Sequence, residues 1–299
     1  MKDSRSRFVE LRGLRLHLRE WGRPGAPRLY FLHGWMDASV SFQFIVDALA
    51  ADWHVIAPDW RGFGQSGWTP ADGYWFADYF ADLDAILRLY EDDDAAAVRL
   101  VGHSMGGNIA LMYAGIRPQR VARVIALDAF GMLDRAPEEA PGRYRQWLDQ
   151  LGQHLPVRVH ADHALLARQL CKANPRLPVD RADWLAAAIA QQVDGGWRVA
   201  GDPRHKRVNP VLYRRAEAQA CWREITAAVL SIEPEDASLR LRLGIDDDTH
   251  AAAHACFRQL EVVRLADCGH NLHHDQPAVV ARLIEDFVDR HPQPVRAAS

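Results

Sequence analysis

Apolar residues along this chain recur at two spacings, and the points where the spacing changes outline its elements. From Phe8 to Arg19 they alternate loosely around Gly13 (Val9, Leu11, Leu14, Leu16, Leu18), which predicts an antiparallel hairpin. A short apolar strand follows at Arg28–Leu32. Helical spacing then appears at Phe42, Ile45, Val46 and Leu49, with Ser39 or Ser41 as its cap, before a strand at Trp53–Ala57. Phe76, Tyr79, Phe80, Leu83, Ile86, Leu87 and Tyr90 outline a long amphipathic helix, closed by a solvated turn at Asp92-Asp93-Asp94. Val98, Leu100 and Val101 form a strand; Ile109, Ala110, Met112, Tyr113 and Ile116 form a helix; Val121–Leu127 is a strand again. Helices between successive strands imply right-handed crossovers and a mostly parallel sheet covered on both faces.

After Gly131 the alternation stops. Prolines punctuate the chain to about Arg223, and helical segments are predicted near Tyr144–Leu155, His163–Cys171, Arg181–Val193 and Leu212–Trp222. This stretch reads as a helical insertion forming a lid. Its aromatics Tyr144, Trp147, Trp184, Trp197, Tyr213 and Trp222 either line an apolar pocket or hold the lid together. Strands resume at Ala227–Ile232 and Leu260–Leu265. Pro277–Val288 is a closing helix, with Asp275 as its cap and Pro277 in its first turn. The organisation expected is a core of residues 1–130 and 224–292, an inserted cap of 131–223, and a tail of 293–299.

With 299 residues, 48% of them hydrophobic, the chain suffices for one large core and an inserted subdomain. A formal charge of -3 without a Lys/Arg block argues against a nucleic-acid partner. No apolar run approaches the ~20 residues needed to span a bilayer, and MKDSRSRFVE lacks the apolar centre of a secretory signal. Cys171, Cys221, Cys256 and Cys268 show no CxxC spacing and read as buried, reduced thiols of a cytoplasmic protein. The expected partner is a small-molecule substrate, and the expected state is a monomer or homodimer.

The stretch that carries chemistry is VRLVGHSMGGNIALM, Val98 to Met112. A strand runs into Gly102-His103-Ser104-Met105-Gly106 and a helix follows, which is the context of a nucleophile elbow. His33, Asp59, Ser104 and Asp128 all fall at the C-terminal ends of predicted strands, the edge at which parallel sheets bind ligands. Gly62, Gly64 and Gly67 form no phosphate cradle, because no Lys-Ser/Thr pair follows them. Asp59 and Arg61 read as an ion pair or loop clamp, Asp37 as a loop holder, and Asp246-Asp247-Asp248 as a solvated loop. The histidines show no zinc spacing such as HExxH, so neither metal nor organic cofactor is expected.

Four signatures in order, LHGWMD (32–37), PDWRGFGQS (58–66), VGHSMGG (101–107) and DCGHNLHHDQP (267–277), resemble those of α/β-hydrolases of the serine-hydrolase type with a helical cap. HGWMD and GHNLHHDQP most resemble the group of serine hydrolase-like proteins. The resemblance implies an α/β-hydrolase fold with a mostly parallel central sheet flanked by helices. It implies Ser104 as nucleophile and His270 as base, with His103 packed under the elbow and His273 or His274 shaping the pocket. Asp236 is the expected acid and gives the chain order Ser, Asp, His. Glu233-Pro234-Glu235 replaces the glycine usual before it, so Glu233 and Glu235 are also candidates, and Asp128 is the runner-up. The backbone amides of Trp35 and Met105 are the expected oxyanion donors. The implied activity is hydrolysis of a small or medium apolar carboxylic ester through an acyl-enzyme. A C–C bond hydrolase, a cofactor-free haloperoxidase-like enzyme or a non-catalytic binding protein on the same fold are the alternatives. Ser104 argues against dehalogenases and epoxide hydrolases, which carry a carboxylate at the elbow.

Overall fold

The computed structural model describes residues 1–91, 97–157 and 159–291. The turn expected at Asp92-Asp93-Asp94 and the tail expected at 293–299 lie outside the described residues.

Ten strands and eleven α-helices are found among them. The first strands, β1 (Ser4–Leu11) and β2 (Leu14–Trp21), form the hairpin predicted around Gly13. Then come β3 (Arg28–Leu32), α1 (Gln43–Ala48), β4 (His54–Pro58), α2 (Phe76–Tyr90), β5 (Val98–His103), α3 (Met105–Ile116) and β6 (Val121–Leu127). Residues 131–223 carry α4 (Ala140–Leu151), α5 (His163–Ala173), α6 (Val179–Ile189), a hairpin of β7 (Ala190–Val193) and β8 (Gly196–Val199), and α7 (Arg215–Arg223). The chain closes with β9 (Ala228–Pro234), α8 (Ser238–Arg242), α9 (Asp247–His254), β10 (Leu260–Leu265), α10 (Leu272–Asp275) and α11 (Pro277–Arg290).

Eight strands form one sheet in the order β1-β2-β4-β3-β5-β6-β9-β10. From β4 to β10 every pairing is parallel, and β1 and β2 add an antiparallel edge. Along β3, Leu29 and Phe31 face the side covered by α1 and α11, while Tyr30 and Leu32 face α2 and α3. Period-two alternation with both faces apolar is why this strand reads as an unbroken hydrophobic run. The fold is that of the α/β-hydrolases, as the resemblance implied. Among the described residues no helix is long and apolar enough to cross a membrane.

The insertion differs from expectation in two places. The helix expected to reach Val193 ends at Ile189, and the chain turns back through Asp194-Gly195 with Val193 opposite Gly196. Gly195 takes φ +84°, a region of backbone space that glycine enters without a Cβ penalty. At the other end, α7 packs on α3 rather than with the insertion. A Cβ on Gly115 would lie 1.8 Å from the Cys221 carbonyl oxygen, and Ala218 and Trp222 are buried in the core. That helix is the crossover covering β6 and β9. The insertion proper has its own small core, in which Leu166, Ala182, Leu185 and Ala186 pack on Phe44 of α1.

Asp246-Asp247-Asp248 is no loop. Asp246 caps α9 by accepting the Thr249 amide at 2.8 Å, and Asp247 pairs with Arg240. Carboxylates in a first turn satisfy free amides and the positive end of the helix dipole, which is the reading the three-acid run conceals.

Candidate active site

Ser104 sits where β5 meets α3, with φ 51° and ψ -115°. A non-glycine residue in this region is strained and persists only where the surroundings fix it. Here they do: the Ser104 amide donates to the Leu127 carbonyl at 3.0 Å and its own carbonyl accepts the Asn108 amide at 2.9 Å. The glycines beside it are space requirements. A Cβ on Gly106 would lie 2.0 Å from the Leu32 carbonyl oxygen.

His270 Nε2 lies 3.0 Å from Ser104 Oγ, and its Nδ1 lies 2.6 Å from Asp128 Oδ2. Asp236, the expected acid, does not meet His270 in the structure; Asp128, the runner-up, does. Asp236 is exposed and accepts the Ser238 amide at 2.9 Å, a local turn just before α8. Glu233 is engaged elsewhere, by His254 at 2.9 Å and His250 at 3.4 Å. Asp128 reaches the imidazole because its own φ of 48° turns the chain at the end of β6. Burial pushes its carboxyl above the usual carboxylate range, while the hydrogen bond and charge of His270 work the other way.

Two further groups hold the histidine loop. Asp275, expected to cap α11, instead accepts the Gly269 amide at 2.8 Å and the Asn174 side-chain amide at 2.7 Å. The loop before His270 is thereby tied to the C-cap of α5 in the insertion. His103 does pack under the elbow: its Nε2–H donates to the His270 carbonyl at 2.9 Å, and burial drives its basicity well below that of a free imidazole. His273 and His274 lie beneath the loop around Ser41 Oγ, at 3.1 and 2.7 Å. Neither Ser39 nor Ser41 occupies the cap of its helical turn, where Ala38 stands.

The loop carrying Trp35 rests on the elbow. A Cβ on Gly34 would touch the His103 ring at 2.9 Å and Ser104 Cβ at 3.4 Å. Asp59 holds this loop to its neighbour by accepting the Ser39 amide at 2.7 Å and the Gln65 amide at 2.9 Å, with His17 2.7 Å away. Burial alone would raise the Asp59 carboxyl, but His17 holds it well below the usual range. Arg61, expected near Asp59, pairs with Asp82 instead. Each is a loop clamp.

Trp35, Ser104, Met105 and His270 open onto one cleft of about 990 Å³. Its walls are largely apolar, with Trp75, Phe76, Phe130 and Val211, and a cationic side formed by Arg143, Arg204, Lys206 and Arg207. Of the six aromatics singled out in the insertion, Trp147 lines it. Trp184 packs on Phe44, Trp197 on His163, and Tyr213 and Trp222 belong to the core.

A strained serine between a strand and a helix, in line with a histidine and a carboxylate, is the geometry of an activated nucleophile. The family model of the alpha/beta hydrolase fold matches residues 27–177. The chain belongs to the α/β-hydrolase family. Among relatives of this α/β-hydrolase, a serine hydrolase-like protein of Danio rerio is 28% identical over 93% of this chain and 85% of its own length. A 2-(acetamidomethylene)succinate hydrolase of Mesorhizobium japonicum is 27% identical over 95% of both chains. Among solved structures, the thioesterase domain from the curacin biosynthetic pathway superposes with a TM-score of 0.85 at 25% identity, covering 95% of this α/β-hydrolase and 99% of that domain.

Two groups of side chains among the described residues have the donor set of a metal site: Asp37, His103 and His273 beneath the elbow, and Glu233, His250 and His254 beside β9. The second was legible as His250-x3-His254, one turn apart on a helix. Reading for HExxH alone passes over it.

Proposed function

We propose that the protein is a serine hydrolase that cleaves a small or medium carboxylic ester through an acyl-enzyme. The observation that carries this is the line of three groups from Asp128 through His270 to Ser104. Asp128 holds Nδ1–H of His270, leaving Nε2 free to take the Ser104 proton as Oγ attacks the acyl carbon. The tetrahedral oxyanion forms against the amides of Trp35 and Met105, the latter at the positive end of α3; each such donor contributes about 3 kcal/mol. His270 then protonates the leaving alcohol. Water attacks the acyl-enzyme by the same route and the carboxylic acid leaves. No step needs a cofactor.

Residues 131–214 act as the cap. Their packing on Phe44 and the Asn174–Asp275 bond support this reading. The apolar walls favour an apolar acyl or alkyl group, and the thioesterase and dicarboxylate-hydrolase relatives mark acyl derivatives as the class to screen. Four free cysteines accord with a reducing, cytoplasmic setting.

The test is a fluorophosphonate probe with the adduct located by mass, followed by a p-nitrophenyl ester panel. A single adduct on Ser104, lost in Ser104→Ala, is the expected result. A folded protein that takes no label and turns over no ester overturns the reading and favours a binding role.

A further inference from the structure

Glu233, His250 and His254 form a closed group that the serine chemistry does not use. Glu233 is next to last in β9, and the two histidines stand one turn apart on α9, so both rings face the same carboxylate. His250 Nε2 is 3.4 Å and His254 Nε2 2.9 Å from the same oxygen, Glu233 Oε1, which also accepts Ser231 Oγ at 2.8 Å. The three ligand atoms lie within 4.8 Å of one another. Two imidazoles and a carboxylate around a tetrahedral ion, with bonds of ~2.0–2.1 Å, leave ligand atoms ~3.3 Å apart. The two nitrogen–oxygen separations bracket that value.

The group is also reachable. It borders a second cleft of about 940 Å³, lined by His270 but not by Ser104, whose wall includes Asp128, Glu233, His250 and His254. Glu233 and His250 are buried, and His254, partly exposed, borders the cleft, so a fourth ligand would come from that side. Three protein ligands and an open position suit Zn²⁺ or a neighbouring first-row ion, since imidazole and carboxylate together favour these over Ca²⁺ or Mg²⁺. Arg264 approaches Glu233 Oε2 at 3.9 Å, but its side chain is 65% exposed and free to swing away.

We propose that Glu233, His250 and His254 bind one divalent transition-metal ion, and that the ion slows the hydrolase. The second half rests on the hydrolase reading. β6 and β9 are neighbours, the Asp128 amide donates to the Ile232 carbonyl at 2.9 Å, and Glu233 is the next residue. The acid on His270 and the metal-holding glutamate therefore each follow the last paired residues of neighbouring strands, Leu127 and Ile232. A bound dication competes with the imidazolium for the field of Asp128, and that imidazolium is what the transition state needs.

The experiment uses the full chain stripped with a chelator. Zn²⁺ binding is read by calorimetry and Co²⁺ binding by its visible spectrum, for wild type, His254→Gln and His250→Gln. The expected result is one ion per wild-type chain, a Co²⁺ spectrum without thiolate charge transfer, and at least a tenfold weaker affinity in either variant that folds by circular dichroism. No saturable binding to wild type, a thiolate band, or equal affinity in the variants overturns the site. Ser104 labelling rates are then measured with and without Zn²⁺. Slowing in wild type that is lost in the variants supports the inhibitory role. Equal slowing in all three assigns it to metal on His270 and overturns that role. Binding without any Ser104 labelling leaves the site standing and removes the hydrolase reading, and the inhibitory role with it.

Discussion

Asp128 Oδ2 lies 2.6 Å from His270 Nδ1, and the two residues come from the connections after different strands, 142 positions apart in the chain. Asp128→Asn should therefore lower kcat/KM on an activated ester roughly 10⁴-fold, because the amide favours the wrong tautomer of the imidazole. Asp236→Asn, which alters only a local turn, should stay within about twofold of wild type. Steady-state kinetics on the two variants decides between these carboxylates, and a large loss in Asp236→Asn alone would reverse the assignment.

The elements of the sheet were legible because period-two runs and three-to-four-residue spacings alternate cleanly from Arg28 to Leu127. Ser104 and His270 were legible because each sits in a motif with its own local geometry. The carboxylate that meets His270 was not, because both candidate positions follow a strand at the same sheet edge. What separates them is φ at Asp128 and the capture of Glu233 by two histidines on α9. Neither is written in the spacing around Asp236. The β7–β8 hairpin was hidden for a different reason: the alanine-rich run before it favours helix, and one Asp-Gly pair reverses the chain.

Glycine replacements should split by environment. Gly106→Ala drives a methyl against the Leu32 carbonyl, where a Cβ would lie 2.0 Å away, and backbone on both sides leaves little room to yield. A loss of about 3 kcal/mol or more is expected. Gly142→Ala, in exposed α4 with nothing within 4 Å, should gain about 0.4–1 kcal/mol. Denaturant melts of the two variants check both signs.

Asp275→Ala should lower kcat more than it raises KM. Its carboxylate holds the Gly269 amide and the Asn174 side chain, so its loss loosens the base without touching the cleft. A decrease of roughly 10-fold corresponds to one charge-assisted hydrogen bond. Asn174→Ala should give a smaller effect in the same direction; a pure KM effect would place Asp275 in substrate binding instead.

Stability should fall on acidification from about pH 6.5 to pH 4. Burial holds His33 and His274 neutral, each down to about 4, although Asp59 faces the first and Asp275 the second. The unfolded chain then binds more protons across that window, so the folded state loses ground as pH drops. Asp37 acts oppositely. Desolvation raises it to about 7, so the folded chain takes up its proton first and gains as pH falls from 7 towards 4. His205, held to about 3, and His103 and His273, held well below the ordinary value, act with the first two; together they outweigh Asp37 and the raised Asp128, and the net loss is on the order of several kcal/mol. A denaturation midpoint higher at pH 5 than at pH 7 would contradict this.

The left-handed conformation of Ser104 sets a limit that reaction chemistry alone does not. Threonine serves as a nucleophile elsewhere, yet a β-branched side chain is a genuine outlier at positive φ. The backbone thus admits serine, cysteine or aspartate at this position and turns threonine away. Any drift of this enzyme towards new reactions has to pass through the short list of unbranched nucleophiles, with the shape of the turn as gatekeeper.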